Sequence, residues 1–435
     1  MFEANMQPVT VALPTLGCKA NRYDSDALAR ALIACGYVIV PANARADIYI
    51  VNTCTVTREA EAKSRKMLRR TLKINDEALL VITGCYASLE PEQLGAIEGV
   101  DLVVPISEQA RIPELLQQRR PPQPGGSCSN TLPFGLTASV ERTRATVKVQ
   151  DGCNLRCAFC AVTLARGPVR SRPLSEVIAE LRALVAAGIK EIVLTGIRLD
   201  AYGLDLHGPR LAELLDATQE LGITRLRLSS LEPIGITPHL IERMAAHPSL
   251  CHHFHVCLQS GDDGVLQAMR RGYTAQRFRR TIDLLRAAIP DASFTTDLIV
   301  GFPGENDAAF AATCTLVREI GFMKLHIFKF SPRPRTAAAI MADQVPEAMK
   351  EARSAELYAL EQHLFSAYVA RLIGTPVSVL VERTGADGDG LTAHYLRVHA
   401  PFAAKDAGNI VSVVLQECRD GYAVGTNRHY SCVHE

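Results

Sequence analysis

The sequence has almost no excess charge: 47 Lys+Arg stand against 46 Asp+Glu, a formal net charge of +1. That balance excludes a uniformly basic nucleic-acid coat, although local patches can hide inside the sum. Low-complexity tracts are few, which excludes a largely disordered or fibrous chain. Long apolar runs are missing too. None approaches the ~18 residues of a membrane helix, and the stretch ending at Ile189 meets Lys190 and Glu191. The opening MFEANMQPVTVALPTLG carries an early Glu3, no basic start and no apolar segment, so it does not read as a signal peptide. The expected setting is the cytoplasm, with no membrane partner and with thiols kept reduced. What the sequence does have is 13 cysteines in 435 residues. These are too many for inert core thiols and too sparse for a disulfide scaffold, so metal ligands, nucleophiles or packing are the candidates.

At roughly 150 residues per domain the length suggests about three domains. The break at Pro121–Gly135, PPQPGGSCSNTLPFG, is dense in Pro, Gly and Ser. Before it, Val9–Leu13, Asp47–Val51 and Ala78–Thr83 read as buried strands, and Ser25–Cys35 and Glu59–Lys73 as helices. That alternation predicts a doubly wound parallel sheet, with ligands beyond the carboxyl ends of its strands. Cys18, Cys54 and Cys85 each lie just past such an end. After the break, strands are expected at Ala145–Gln150, Glu191–Thr195, Arg225–Ser229, His253–Leu258, Phe294–Val300 and Lys324–Phe330. Helical patterns at Leu174–Ala187, Leu211–Glu220 and Arg277–Ala288 fall between them. Six such repeats predict a partial (βα)6 barrel working at its strand C-termini. A long helix, Pro346–Leu372, leads to alternating strands VSVLVE, HYLRV, NIVSVVLQE and GYAVGT, the pattern of a small β-barrel. The expected domains are 1–120, a linker 121–138, then 139–367 and 368–435.

Directly after the first strand of the partial barrel stands DGCNLRCAFC, with Cys153, Cys157 and Cys160 in a CxxxCxxC spacing. Three thiolates on such a loop can hold three irons of a cubane and leave the fourth open to a ligand. A zinc knuckle lacking its fourth ligand is the bland alternative. In its setting the motif resembles the radical S-adenosylmethionine signature. That resemblance implies a 4Fe-4S cluster whose open iron takes the amino and carboxylate groups of S-adenosylmethionine, with Phe159 beside the cofactor. It further implies cofactor contacts from Thr195 and Gly196 after the second strand and from Gln259 and Ser260 after the fourth. The stretch DLIVGFPGE adds Ile299, Gly301, Gly304 and Glu305 near the adenine. Asp297, on the fifth strand, is expected to point into the barrel toward cofactor or substrate.

The N-terminal segments LGCKANRYDSD, VNTCTVTREAEAKSRK and ITGCYAS resemble the three signatures of the methylthiotransferases. In that family Cys18, Cys54 and Cys85 would hold a second, auxiliary 4Fe-4S cluster, and the C-terminal domain would be similar to the TRAM nucleic-acid-binding barrel. KVQDGCNLRC, ARGPVRSRP, LTGIRLDAYG, RLRLSSLEP and KFSPRPRTAAAIM look most like the subgroup acting on N6-threonylcarbamoyladenosine. The implied reaction converts that nucleoside, 3′ of the anticodon in tRNA, to its 2-methylthio form with two S-adenosylmethionine per turnover. Implied partners are the tRNA anticodon stem-loop and an electron donor such as flavodoxin or ferredoxin. No side chain needs to be a conventional catalytic acid or base. The same chemistry on N6-isopentenyladenosine or a ribosomal-protein aspartate is the near alternative. A non-catalytic RNA-binding protein with structural metal sites is the distant one.

Two departures stand out: Cys257 replaces the Pro or Ser usual in relatives, and the tail is short and not basic. From Tyr368 onward it has six basic and seven acidic residues, whereas Arg58–Lys73 has seven and two. Arg166, Arg170 and Arg172, close behind the cluster loop, are the phosphate or substrate candidates. Cys251, His252, His253, His255 and Cys257 suggest a metal site, but strand alternation puts His253 and His255 on one face and His252 on the other, so the five cannot converge. They are expected to pack in the core or the cofactor pocket.

Overall fold

The computed structural model describes residues 8–55, 57–122 and 143–427. The expected linker lies almost wholly outside them, as do Cys128 and Cys432. In the first domain, short aliphatic runs without polar alternation form strands buried on both faces. They are β1 Thr10–Ala12, β2 Val38–Val40, β3 Ile48–Thr53, β4 Leu79–Gly84 and β5 Leu102–Val103, parallel in the order β2-β1-β3-β4-β5. Helices α1 Lys19–Ala34, α2 Arg58–Ile74, α3 Cys85–Leu89, α4 Pro91–Gly95 and α5 Ile112–Arg119 connect them. Alternate residues of β3 face opposite layers. Ile48 and Ile50 pack with Leu28, Leu32 and Leu116, while Tyr49 and Val51 pack with Leu68, Tyr86 and Leu94. The sheet is therefore doubly wound, and its order reverses between β1 and β3, which opens a crevice beyond their carboxyl ends.

Helix α1 begins six residues before the Ser25 expected from the sequence. Its polar opening hid it: Asn21 and Asp24 are buried against the second domain, and Ser25 against Thr15 and Asn52 of its own domain.

The second domain contains β6 Arg144–Lys148, β7 Gln150–Asp151, β8 Arg170–Ser171, β9 Glu191–Thr195, β10 Arg225–Leu228, β11 His253–His255, β12 Ser293–Val300 and β13 Lys324–Lys329. Its helices are α6 Val162–Arg166, α7 Leu174–Ala186, α8 Leu211–Thr218, α9 Pro238–Ala246, α10 Asp263–Ala268, α11 Ala275–Ala288 and α12 Asp307–Ile320. Six parallel strands form two sheets, β10-β9-β6 and β11-β12-β13. Bridges Leu226–Leu250 and Leu231–Val256 join the two halves, so the barrel is open between β6 and β13. Antiparallel β7 and β8 frame the loop that carries Cys153, Cys157 and Cys160. One apolar core with Val147, Leu194, Leu226, Phe254 and Phe294 runs through both halves.

Helix α13 Glu347–Ala370 packs on β13 and leads into a closed barrel, β14 Pro376–Arg383, β15 Asp389–Thr392, β16 Arg397–His399, β17 Ile410–Arg419 and β18 Tyr422–Asn427. The sequence suggested four strands here; β15, DGLT, was concealed by its turn-forming composition. Arg225 and Arg227 dock this barrel. Arg225 donates to the carbonyls of Ser378 (2.8 Å) and Leu391 (3.1 Å), and Arg227 to those of Thr392 and Ala393 (3.0 Å each). Glu191 neutralises Arg227 at 2.8 Å.

Phe254 is fully buried against Phe294. Phe254→Ala is expected to destabilise the central domain by about 3–5 kcal/mol, measured as a fall in the urea midpoint at unchanged slope; a change under about 1 kcal/mol would contradict this core assignment.

Candidate active site

Each cysteine set is placed by local backbone rules. Cys18 caps α1 and Cys85 opens α3, while Cys54 directly follows β3. Gly17 has φ +102°, and a Cβ there would lie 2.9 Å from Cys54 Cβ and 3.1 Å from its Sγ. Only glycine lets the Cys18 turn close onto Cys54. Gly152, before Cys153, has φ +70° and would set a Cβ 1.9 Å from the carbonyl oxygen of Pro168, so the second loop folds equally tightly onto its frame. None of the six cysteines is in a disulfide.

Burial pushes the Cys85 thiol up to about 12, and Cys18 and Cys54 raise it further while Arg166 opposes them. Cys160 is likewise pushed up to about 12, first by burial and then by Cys157 and Cys153. Each set mixes buried and more exposed thiols, and three thiolates brought together repel one another. Iron would relieve that repulsion, so both donor sets fit a cluster held by three cysteines. Arg271 adds a cation to the second set, its Nη1 lying 3.2 Å from Cys157 Sγ.

The two domains are joined by buried charge. Arg166, with a fully buried side chain, pairs with Asp24 and Asp151 at 2.9 Å each and also reaches Asn21. Lys148 bridges the same two carboxylates, contacting Asp24 and lying 2.8 Å from Asp151. Burial alone would raise the Asp151 carboxyl, yet Lys148 and Arg166 hold it well below the usual range. Arg172 bonds Glu180 at 2.6 Å and Tyr23 at 3.1 Å. At the other edge of the open barrel, Arg333 pairs with Glu61 and donates to Thr55 at 3.1 Å. The first domain thus closes the gap between β6 and β13.

A cleft of about 190 Å³ results, with Thr55, Thr57 and Cys85 on one wall and Phe159, Cys160, Val162 and Ala165 on the next. Gln259, Asp297 and Ile299 contribute from the barrel, with Phe328, Lys329, Phe330 and Ser331 at the end of β13. Cys85 and Cys160 therefore open onto one space. Gln259 holds φ +68°, a left-handed conformation rare outside glycine. Its backbone pairs with β12, donating to Asp297 O (2.8 Å) and accepting from Ile299 N (3.0 Å). Asp297 accepts from His255 (3.3 Å) and His326 (3.2 Å). Burial opposes ionisation there, but the two imidazoles hold the carboxyl low.

Four of the expected cofactor residues, Phe159, Gln259, Asp297 and Ile299, line the cleft. The others do not. Thr195 is buried in its strand, and its carbonyl accepts from Val149 N at 2.9 Å. Gly196 lies against Gln150, where a Cβ would meet Oε1 at 2.7 Å. Gly301 and Gly304 shape the turn after β12. Ser260 faces α12, its Oγ 3.4 Å from Thr313 Oγ1. Glu305 accepts from Gly301 N (2.8 Å) and Arg353 (2.7 Å), so its carboxylate is spent on the turn. Arg166 and Arg172 also depart from expectation: both are committed to carboxylates at the domain junction and have no face for phosphate. Arg170 alone of the three is exposed. The histidine run divides as strand alternation requires. His253 and His255 share Thr295 Oγ1 at 3.0 and 2.9 Å, while His252 turns away to Asp291 at 2.7 Å. Thr55, Thr57 and the FKFS segment at the end of β13 were not anticipated, though their places after strand ends were a signal. Arg271 had none, because its partner Cys157 is 114 residues away.

Comparison with known proteins agrees with this geometry. The radical S-adenosylmethionine superfamily pattern matches residues 147–317, and that of an uncharacterised family, UPF0004, matches residues 10–105. Among solved structures, the chain resembles the radical S-adenosylmethionine methyltransferase TsrM from Kitasatospora setae, with a TM-score of 0.57 at 17% identity over 76% of this chain and 75% of that one. It also resembles the cobalamin-dependent S-adenosylmethionine radical enzyme OxsB, with a TM-score of 0.52 at 10% identity over 81% and 56%. At such identities the likeness concerns the fold. Fold and cysteine loop together define a radical S-adenosylmethionine enzyme, a class that uses a 4Fe-4S cluster and S-adenosylmethionine. The chain is 37% identical to the threonylcarbamoyladenosine tRNA methylthiotransferase MtaB of Bacillus subtilis over 96% of both chains. It is 40% identical to that of Thermotoga maritima over 86% of both. With similarity of that extent, the chain belongs to the MtaB family of methylthiotransferases.

Asp24→Ala would leave Arg166 and Lys148 short of a buried partner. It is expected to cost about 3–5 kcal/mol, seen as a lowered thermal midpoint and faster proteolysis at the domain junction. Asp24→Asn is expected to lose less, because it keeps a hydrogen-bond acceptor; equal loss would argue that shape rather than charge holds the junction.

Proposed function

We propose that this chain converts N6-threonylcarbamoyladenosine, next to the anticodon of tRNA, to its 2-methylthio derivative. The observation that carries the reading is the single cleft onto which Cys85 and Cys160 both open. Cys153, Cys157 and Cys160 would hold the cluster that binds S-adenosylmethionine, and Cys18, Cys54 and Cys85 an auxiliary 4Fe-4S cluster. Together these groups supply radical activation of an inert C–H bond and a sulfur source, chemistry that no side chain of the protein provides. Bound S-adenosylmethionine would supply both a radical and a methyl group, two molecules per turnover, and a donor such as flavodoxin or ferredoxin would provide the electron.

The chain's own residues bind, orient and exclude water. Phe159, Ile299, Phe328 and Phe330 give the cleft apolar walls, which keep a reactive species from solvent and from side reactions. Gln259 and Asp297 offer polar groups to the cleft, and Lys329, paired with Glu347 and Glu351, lies at its edge. No general base is required. The domain scheme 1–120, 121–138, 139–367 and 368–435 is kept, with the last domain TRAM-like, and a tRNA substrate supports a cytoplasmic setting. Among the described residues no helix is long and apolar enough to cross a membrane.

Anaerobic preparations are expected to carry about eight irons per chain and to cleave S-adenosylmethionine on reduction. Cys85→Ala should retain cleavage and lose sulfur insertion, whereas Cys157→Ala should lose both. The check is mass spectrometry of tRNA nucleosides from a deletion strain complemented with each variant. If the threonylcarbamoyl product persists in the deletion strain while the isopentenyl one vanishes, the substrate assignment is wrong. Methylthiolation retained in either variant would break the two-cluster reading.

A further inference from the structure

We infer that the tRNA backbone is carried by the basic face of α2, in the first domain, and not by the C-terminal barrel. The inference rests on the tRNA substrate proposed above and adds the surface that holds it.

Helix α2 starts at the cleft, since its N-cap Thr57 lines the cavity. At 100° per residue, Arg58, Arg65, Lys66, Arg69 and Lys73 fall within an arc of about 100°, with Lys63 and Arg70 beside it. Ser64, Leu68 and Thr71 are buried on the opposite side. Six of the seven cations are exposed and Arg65 is half-buried. Among the described residues the only ion pair made by these seven is a 3.9 Å contact between Arg65 and Glu61. From Arg58 to Lys73 the helix rises about 22 Å, long enough to follow several consecutive phosphates. On the far lip of the cleft Lys329 is already paired with Glu347 (2.8 Å) and Glu351 (3.5 Å), while Arg335 nearby is exposed.

The C-terminal barrel is organised in the opposite way. Arg383 pairs with Asp389, Arg397 with Glu382 and Asp389, and Arg419 with Glu417. Among the described residues of this domain, Arg383, Arg397 and Arg419 already have carboxylate partners, and only Arg371 and Lys405 are exposed without an ion pair, against six such cations on α2. Counterion release, the main source of backbone affinity, comes from cations that no carboxylate has neutralised. That condition holds for six cations along α2 and, among the described residues, for only two in the C-terminal domain. A base entering the cleft would leave its flanking phosphates between Arg58 and Arg335, with the stem following α2 outward.

The test is fluorescence anisotropy of a labelled anticodon stem-loop RNA against the full-length, cluster-loaded protein across a salt series. Lys66→Glu, Arg69→Glu, Arg70→Glu and Lys73→Glu combined should weaken binding more than about tenfold near 0.15 M salt, and should lower the slope of log affinity against log salt by about 3. The same four positions changed to Gln guard against misfolding from charge reversal and should show the same loss of slope with smaller loss of affinity. Arg383→Glu with Arg419→Glu in the barrel should leave both quantities unchanged. Weakened binding by the barrel variant with intact binding by the α2 variants would overturn the inference, as would an unchanged slope in all. If the wild type binds RNA through α2 yet modifies no tRNA, the inference stands and the proposed substrate falls. If the wild type does not bind the RNA at all, both fall.

Discussion

Arg166 is the constraint on which the working part of the molecule depends. It ends the short helix that follows Cys160, it pairs with Asp151 just before Cys153, and it reaches Asn21 and Asp24 on the helix that Cys18 caps. One guanidinium thus indexes both cysteine loops to each other. A buried ion pair contributes little net stability against an apolar replacement, because desolvation offsets most of its Coulomb gain. Its value here is geometric. The planar fork of arginine fixes two carboxylates in direction as well as distance, and shared chemistry across the cleft needs that fixity more than it needs affinity between domains.

The rest of the architecture follows from having to close an open barrel. Six strands leave a lateral gap, and the first domain fills it by gripping both edges, through Lys148 and Arg172 on one side and Arg333 on the other. Asn21 and Asp24, in the polar opening of α1, are buried for that reason. The strained backbone at Gln259 and the carboxylate of Asp297 lie beneath the closed part, where surrounding structure can hold an unfavourable conformation in place. At the opposite end, Arg225 and Arg227 dock the small barrel through its main-chain carbonyls, and side chains add to this: Arg144 pairs with Glu382 at 2.7 Å and His253 stacks on Tyr395.

Much of this was legible in the sequence. The six barrel strands and three of the five N-terminal strands, β1, β3 and β4, were found because buried parallel strands are continuous aliphatic runs. The placing of Cys18, Cys54 and Cys85 just past strand ends, and of Cys153, Cys157 and Cys160 on the loop after the first barrel strands, was also legible, because the strand runs bounding them were. What failed shares one physical cause. Arg166 and Arg172 looked like phosphate ligands because sequence shows charge but not its partner, and those partners, Asp24 and Glu180, are placed by tertiary folding. Ser260 and Glu305 sit where the family pattern puts ligands, yet each is turned to its own turn or helix, an orientation that depends on Thr313 and Arg353. Arg271 on Cys157 carried no local signal at all. Backbone periodicity is written locally; side-chain direction at a domain junction is not.

The closure of the barrel also dictates an order of assembly. Parallel β–α units form from nearby segments, but Asp24 must wait for Arg166, 142 residues later, and Thr55 for Arg333, 278 residues later. Contacts of such separation form late, and a chain made from its N-terminus has them only when about three-quarters of it exists. The first domain is therefore synthesised early but seated late. The wall shared by the two cysteine sets comes into being at the end of folding, so iron delivered to one set before then would meet a half-built pocket still open to solvent.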